Sequence, residues 1–188
     1  MNRAVFLDRD GVINRKAPEG AYVTCWEEMH FFPGVAKAIS LLSEAGFRII
    51  VVSNQRCVAK GLITADGVDA LHRRMCDELA AAGAMIDAVY YCPHEKQPPC
   101  SCRKPSPGML LSAASEHQVD LALSWMIGDS EDDVQAGKNA GCKTARLVSS
   151  DEIDGGTADV AAQSLLDAVR KILPSVGNQK SIEEQTTR

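Results

Sequence analysis

Two rhythms alternate along this chain. Short runs rich in apolar residues, at 4–7, 47–52, 85–91, 124–127 and 143–148, each give way to polar or glycine positions and predict buried strands. The first run, Ala4-Val5-Phe6-Leu7, is short enough to fit a helix as well. Between the runs lie longer stretches with helical spacing. Pro33-Gly34 opens one through Val35, Ala38, Ile39 and Leu42, and Gly46 closes it as a C-cap. Thr64 caps a second, to about Ala82 with Gly83 behind it. Ser106 as N-cap and Pro107 as first residue begin a third, and a fourth spans roughly 132–139. The stretch 14–32 is irregular, carries Pro18, Gly20, Tyr22, Trp26, Phe31 and Phe32, and reads as a loop on the substrate side. Strand–helix alternation predicts an α/β fold: a doubly wound, mostly parallel sheet with helices on both faces. In such sheets ligands sit beyond the carboxyl ends of the strands.

A length of 188 residues fits one domain, expected over 1–173, with 174–188 a disordered tail where apolar content falls. The patterning leaves no room for a large cap domain. The hydrophobic fraction of 45% is that of an ordinary globular chain, and no apolar run is long enough to span a bilayer. The N-terminus enters a strand instead of a signal-peptide pattern, so a cytoplasmic protein without membrane partners is expected. A net charge of −5 argues against a nucleic-acid surface, while one or two cations suffice for a small phosphorylated metabolite. A monomer is expected. Seven cysteines without a secretory signal make a disulfide framework an unlikely design for this chain.

The chemistry starts where the first strand ends. Asp8 and Asp10 stand two positions apart in Asp8-Arg9-Asp10-Gly11, and Ser53, Lys104 and Asp129 likewise fall at or just after strand ends. One pocket can gather them all. Their types suit phosphoryl transfer: a carboxylate nucleophile, a hydroxyl and an ammonium for phosphate oxygens, and carboxylates for a divalent metal such as Mg²⁺. Taken singly, each has a plainer reading: an Asp-Gly turn, a Ser53-Asn54 turn, a solvated Lys104, and Asp132 and Asp133 complementing a helix dipole.

A second cluster is Cys92-Pro93-His94, followed after Glu95-Lys96-Gln97-Pro98-Pro99 by Cys100-Ser101-Cys102. Three thiols and an imidazole are the inventory of a closed structural Zn²⁺ site, which leaves no position for water and so assigns the metal to the loop 92–102 and not to catalysis. Buried or reactive thiols are the other reading. Cys25, Cys57, Cys76 and Cys142 lack such company.

In order and spacing, Asp8-Arg9-Asp10-Gly11-Val12, Ser53-Asn54-Gln55, Lys104 and Gly128-Asp129-Ser130-Glu131-Asp132-Asp133 resemble the four motifs of the haloacid dehalogenase (HAD) superfamily. The resemblance implies that Asp8 attacks phosphorus to form an aspartyl-phosphate, and that Asp10 protonates the leaving alcohol and then activates water. It implies Ser53, Asn54, Arg103 and Lys104 on the substrate, Mg²⁺ on Asp8, Asp129 and the Asp10 carbonyl, and Asp133 behind them. Within the superfamily the chain looks most like the heptose bisphosphate phosphatases, through Cys102-Arg103-Lys104-Pro105-Ser106-Pro107-Gly108 and Ser124-Trp125-Met126. The histidinol-phosphatase relatives share the zinc loop and its short five-residue spacing. Arg56-Cys57 departs from the small Ser-Gly pair usual in the heptose branch. A phospho-receiver module also combines acidic residues, a hydroxyl and a lysine, but has no use for a second acid poised to hydrolyse its aspartyl-phosphate.

Overall fold

The fold grows outward from a central strand whose four residues Ala4, Val5, Phe6 and Leu7 are all fully buried, which only a sheet covered on both faces permits. The structure, a computed structural model, describes residues 2–149 and 155–174. Six strands, β1 (Arg3–Leu7), β2 (Phe47–Asn54), β3 (Ala88–Cys92), β4 (Trp125–Gly128), β5 (Lys143–Leu147) and β6 (Val160–Ala162), form one sheet in the order β3-β2-β1-β4-β5-β6. Every adjacent pair is parallel. The strand order reverses between β1 and β4, so the loops after Leu7 and Gly128 flank the crevice in which open parallel sheets bind ligands.

Alternate β1 residues feed two cores. Val5 and Leu7 pack with Val35, Ile39 and Leu42 of α1 (Val35–Glu44), Met75 and Leu79 of α2 (Ala65–Ala81), and Val169 and Ile172 of a helix over 165–174, here α5. Ala4 and Phe6 face the other way, onto Met109, Leu110 and Ala113 of α3 (Gly108–His117) and Ala136 and Ala140 of α4 (Glu131–Ala140). Three helices thus cover one face and two the other, so both faces are covered as the alternation of runs predicts.

Boundaries differ from the expectation where side chains bond to backbone. Thr64 accepts from the Gly67 N–H as predicted. Pro107, not Ser106, is the N-cap of α3, and β3 begins at Ala88, because Asp87 accepts from the Ile49 N–H at 2.7 Å in place of a ladder bond. β2 runs on to include Ser53 and Asn54, since the Gln55 N–H still reaches the Cys92 carbonyl at 2.8 Å. The strand β6 and α5 were not expected: β6 is three residues long, too short for a pattern of its own. Residue 174, the first of the expected tail, is still in α5, and the rest of that tail, 175–188, lies outside the described residues. Among the described residues no cap domain interrupts the sheet: 14–34 holds one 3-10 turn (Trp26–Glu28), and 55–64 is a turn between β2 and α2. Among the described residues no helix is long and apolar enough to cross a membrane.

Candidate active site

Asp8 follows the last residue of β1, and its N–H donates to the Ile127 carbonyl of β4 at 3.0 Å, fixing the carboxylate at the switch point. Asp8 Oδ1 takes the Arg9 N–H at 2.8 Å and Lys104 Nζ at 2.8 Å, and no donor among the described residues bonds Oδ2. Lys104 is buried. Its ammonium also forms an ion pair with Asp133 Oδ1 at 2.6 Å and donates to the Val52 carbonyl at 2.8 Å. The backbone beneath it is pinned by one side chain, Asn54, which accepts from the Lys104 N–H at 3.1 Å and donates to the Lys104 carbonyl at 3.2 Å.

Asp133 is set by local sequence. Ser130 caps α4 and accepts from the Asp133 N–H, while Asp133 Oδ2 accepts from the Ser130 N–H at 3.1 Å and its hydroxyl at 2.5 Å, a capping box with Asp in the acidic position. Gly128 makes room for it: a Cβ there would sit 2.1 Å from the Asp133 Cβ. Across the crevice Gly11 has φ +95°, and a Cβ on it would meet Asp129 Oδ2 at 2.0 Å, so the DxDG glycine is needed for both conformation and space.

The cavity carries surplus negative charge. Asp8, Asp129 and Asp133 bring one carboxylate oxygen each within 4.8 Å of one another. Burial pushes the Asp8 carboxyl up to about 7 even against the pull of Lys104, and burial likewise raises Asp129. Asp133 is also penalised by burial, but Lys104 holds it below the usual carboxylate range. Lys104 itself loses solvation, yet the two carboxylates on it raise its pKa, so it stays a cation shared between them. Asp129 Oδ2 pairs with Lys16 at 2.6 Å, and its Oδ1 is buried without a hydrogen-bond partner. A buried, unpartnered carboxylate oxygen beside a second buried carboxylate is the donor set a hard divalent cation such as Mg²⁺ accepts.

Asp10 is arranged differently. Arg9, fully buried, grips it through Nη2 at 3.0 Å and 2.8 Å to its two oxygens and Nε at 3.2 Å. Asn14 donates to Oδ1 at 2.8 Å, and Gln55 donates to Oδ2 at 3.1 Å and to Ser53 Oγ at 2.8 Å. Asp8, Asp10, Ser53, Asn54, Lys104 and Asp129 thus share a cavity of about 190 Å³ that Lys16 and Asp133 also line. Sequence reasoning passed over Lys16, Arg9, Asn14 and Gln55. Gln55 follows directly on the Ser53-Asn54 pair and was within reach of a motif reading; the burial of Arg9 and the approach of Lys16 depend on tertiary packing.

The cysteine cluster closes as expected. Cys92 Sγ lies 3.2 Å from Cys102 Sγ and 3.6 Å from Cys100 Sγ, Cys100 and Cys102 are 3.5 Å apart, and His94 Nδ1 is 3.6 Å from Cys92 and 3.2 Å from Cys102. These separations are far longer than a disulfide and close to the edges of a tetrahedron built on Zn–S bonds of about 2.3 Å, roughly 3.8 Å. All four residues can therefore hold one metal ion. Arg103 donates to the His94 carbonyl at 3.4 Å and, with Lys96 and Ser106, lines an adjoining cavity of about 230 Å³ that shares Lys104 with the first. Arg56, the departure noted in the sequence, reaches Glu95 of the cysteine loop at 2.5 Å.

The HAD-hydrolase-like family model matches residues 101–170. The chain is 44% identical over 155 residues to a D-glycero-beta-D-manno-heptose-1,7-bisphosphate 7-phosphatase of Rhodopseudomonas palustris, covering 79% of this chain and 84% of that protein. It is 36% identical over 177 residues to a D-glycero-alpha-D-manno-heptose-1,7-bisphosphate 7-phosphatase of Mycobacterium tuberculosis, covering 94% and 92%. Its fold superimposes with a TM-score of 0.83 and 32% identity on the D,D-heptose 1,7-bisphosphate phosphatase of Bordetella bronchiseptica crystallised with magnesium and phosphate, over 92% of this chain and 99% of that one. With motifs, topology and sequence all in agreement, the chain belongs to the heptose-1,7-bisphosphate 7-phosphatase family of HAD-like hydrolases.

Proposed function

We propose that this chain is a Mg²⁺-dependent phosphatase that removes the 7-phosphate of D-glycero-D-manno-heptose 1,7-bisphosphate through an aspartyl-phosphate on Asp8. The observation that carries the reading is the convergence of Asp8, Lys104 and Asp129 on one cavity, with the second acid, Asp10, opening onto the same space. An Asp8 carboxylate oxygen attacks phosphorus, the bond from phosphorus to the C7 oxygen breaks, and Asp10 gives that oxygen its proton. Water then attacks phosphorus, Asp10 takes a proton from it, the acyl–phosphate bond breaks and inorganic phosphate leaves. Lys104, fixed by Asp133 and by the Asn54 clamp on its backbone, offsets charge on the transferring phosphoryl group, with Ser53 beside it. Asp8, Asp129 and the Asp10 carbonyl are the residues that would hold Mg²⁺, which when bound neutralises the repulsion between anionic nucleophile and anionic phosphate. The unpartnered Asp129 oxygen and the excess of carboxylates support that assignment.

Arg103 and its cavity beside Lys104 suit the phosphate that is not cleaved, since a guanidinium recognises phosphate through paired hydrogen bonds. Cys92, His94, Cys100 and Cys102 would enclose one Zn²⁺ that shapes this wall. Residues 1–173 act as one domain, as a monomer in the cytoplasm, on a small metabolite without nucleic acid.

The test is turnover of both anomers of the heptose bisphosphate beside histidinol phosphate, with Mg²⁺ present. Release of one phosphate per heptose, with the sugar 1-phosphate as product and histidinol phosphate at least tenfold slower by kcat/KM, is the expected result. Preference for histidinol phosphate would move the chain to the other branch, and no turnover of any ester would remove the phosphatase reading.

A further inference from the structure

One buried cluster lies just outside the cavity and has no part in the chemistry above. Arg9 is a fully buried cation whose guanidinium has two partners: Asp10, held by Nε and Nη2, and His72, a residue of α2, whose Nε2 lies 3.1 Å from Nη1. Arginine only donates, so His72 Nε2 must accept and the ring proton must be on Nδ1. The ring is held neutral. Burial and the adjacent Arg9 push its pKa down to about 3, and Tyr91 packs edge-on with ring centroids 5.5 Å apart. Only 4% of His72 is exposed, although its ring borders a cavity of about 290 Å³ shared with Asp69, Asp77 and Tyr91. A buried polar residue on a helix whose other buried positions are Val68, Leu71, Met75 and Leu79 is costly unless it is needed where it stands.

Asp10 meets five donor contacts, three of them from Arg9. With both oxygens taken, its orientation is set by where the Arg9 fork stands, and among the described residues the far end of the fork is anchored by His72. Resting on the reading of Asp10 as the acid and base, we propose that His72 is a positioning residue: through Arg9 it fixes the angle at which the Asp10 carboxyl faces the leaving oxygen. Removing the imidazole strands one buried guanidinium N–H, and Arg9 gains more by turning to a new acceptor than by keeping its bidentate grip on Asp10.

The consequence depends on the leaving group. An alkoxide from a sugar needs its proton in the transition state, whereas a nitrophenolate leaves without one. The experiment measures kcat/KM, which reports steps through the first phosphoryl transfer, for p-nitrophenyl phosphate and for the heptose bisphosphate on the same preparation, so that the fraction of folded enzyme cancels in their ratio. His72→Leu and Arg9→Lys should each raise the aryl-to-sugar ratio about tenfold, His72→Gln, whose amide oxygen can still accept, should stay within about twofold of the parent, and Asp10→Asn should raise the ratio furthest, about 10²-fold. Half-saturation by Mg²⁺ should not move in the His72 variants. If Asp10→Asn shifts the ratio and neither His72→Leu nor Arg9→Lys does, the positioning role is wrong and the reading of Asp10 stands. If His72→Leu and His72→Gln shift it alike, the ring acts by packing and not as an acceptor, which also overturns the proposal. If Asp10→Asn leaves the ratio unchanged, the acid role of Asp10 falls and the proposal falls with it.

Discussion

The carboxylate cavity and the cysteine loop each bring together donors that could hold a cation, and they do it in opposite ways. The cavity brings charge from four separate elements, the ends of β1 and β4, the start of α4 and the Lys104 turn, and leaves it incompletely neutralised, with one Asp129 oxygen unpartnered. The loop takes all four donors from 92–102, and each sits within 3.6 Å of another donor. A site that must change partners in every cycle is assembled from rigid strand ends and keeps open valences; one that must never let go is local, soft and closed. Mg²⁺ in the first would come and go, while Zn²⁺ in the second would stay.

The sharpest blow to this contrast is Asp8→Asn, which should cut kcat by about 10⁴-fold or more with circular dichroism and Tm close to the parent, because an amide cannot attack phosphorus. Retained turnover would leave the cavity a binding site only. Next in size is a difference in lability: mild chelation should abolish activity, and Mg²⁺ alone should restore it, while metal analysis still finds about one zinc per chain. Zinc lost in step with magnesium would erase the distinction between the regions. Cys100→Ser should act on stability before chemistry, lowering Tm by roughly 5 °C, which for a chain of this size corresponds to about 2 kcal/mol. A variant that melts like the parent would make the cluster ordinary thiols.

The smallest effect is one of pH. The folded pKa of His72, about 3, lies below its ordinary value, so the folded state binds fewer protons than the unfolded one in between. The stability is complete above about pH 6.5 and is lost as pH falls toward 3, at about 1.4 kcal/mol per unit for a single group. Unfolding free energies from urea titrations should therefore fall further between pH 6.5 and 5 in the parent than in His72→Gln, by about 1.6 kcal/mol. Parallel curves would mean that the imidazole takes up its proton while folded.

Much of the cavity was legible because its members occupy fixed offsets from strand ends: Asp8, Ser53 and Asp129 follow apolar runs, and the parallel topology does the rest. The cysteine cluster was legible because its members are neighbours in sequence. Arg9 was not, since an arginine between two aspartates reads as a solvated charge until α2 is seen to cover it with His72. Lys16 was hidden for a related reason: it belongs to an irregular stretch, and only Gly11, with no Cβ, lets that stretch approach Asp129. The strand β6 escaped because its three residues are defined by pairing with β5. The capping box at Ser130 could have been read directly, which would have started α4 at Glu131 and marked Asp133 as buried.

The Asn54 clamp has an evolutionary side. By holding the amide and carbonyl of Lys104 to the end of β2, it gives the phosphate-side cation an anchor outside 92–102. The wall of the pocket and its chemical floor thus have different supports, so changes in the five residues between His94 and Cys100 are expected to move the ammonium less than they move the wall. A lineage could then trade one leaving group for another by rewriting a loop, with Arg56 and Glu95 as the hinge pin of that change, while the bond-breaking apparatus stays as it is.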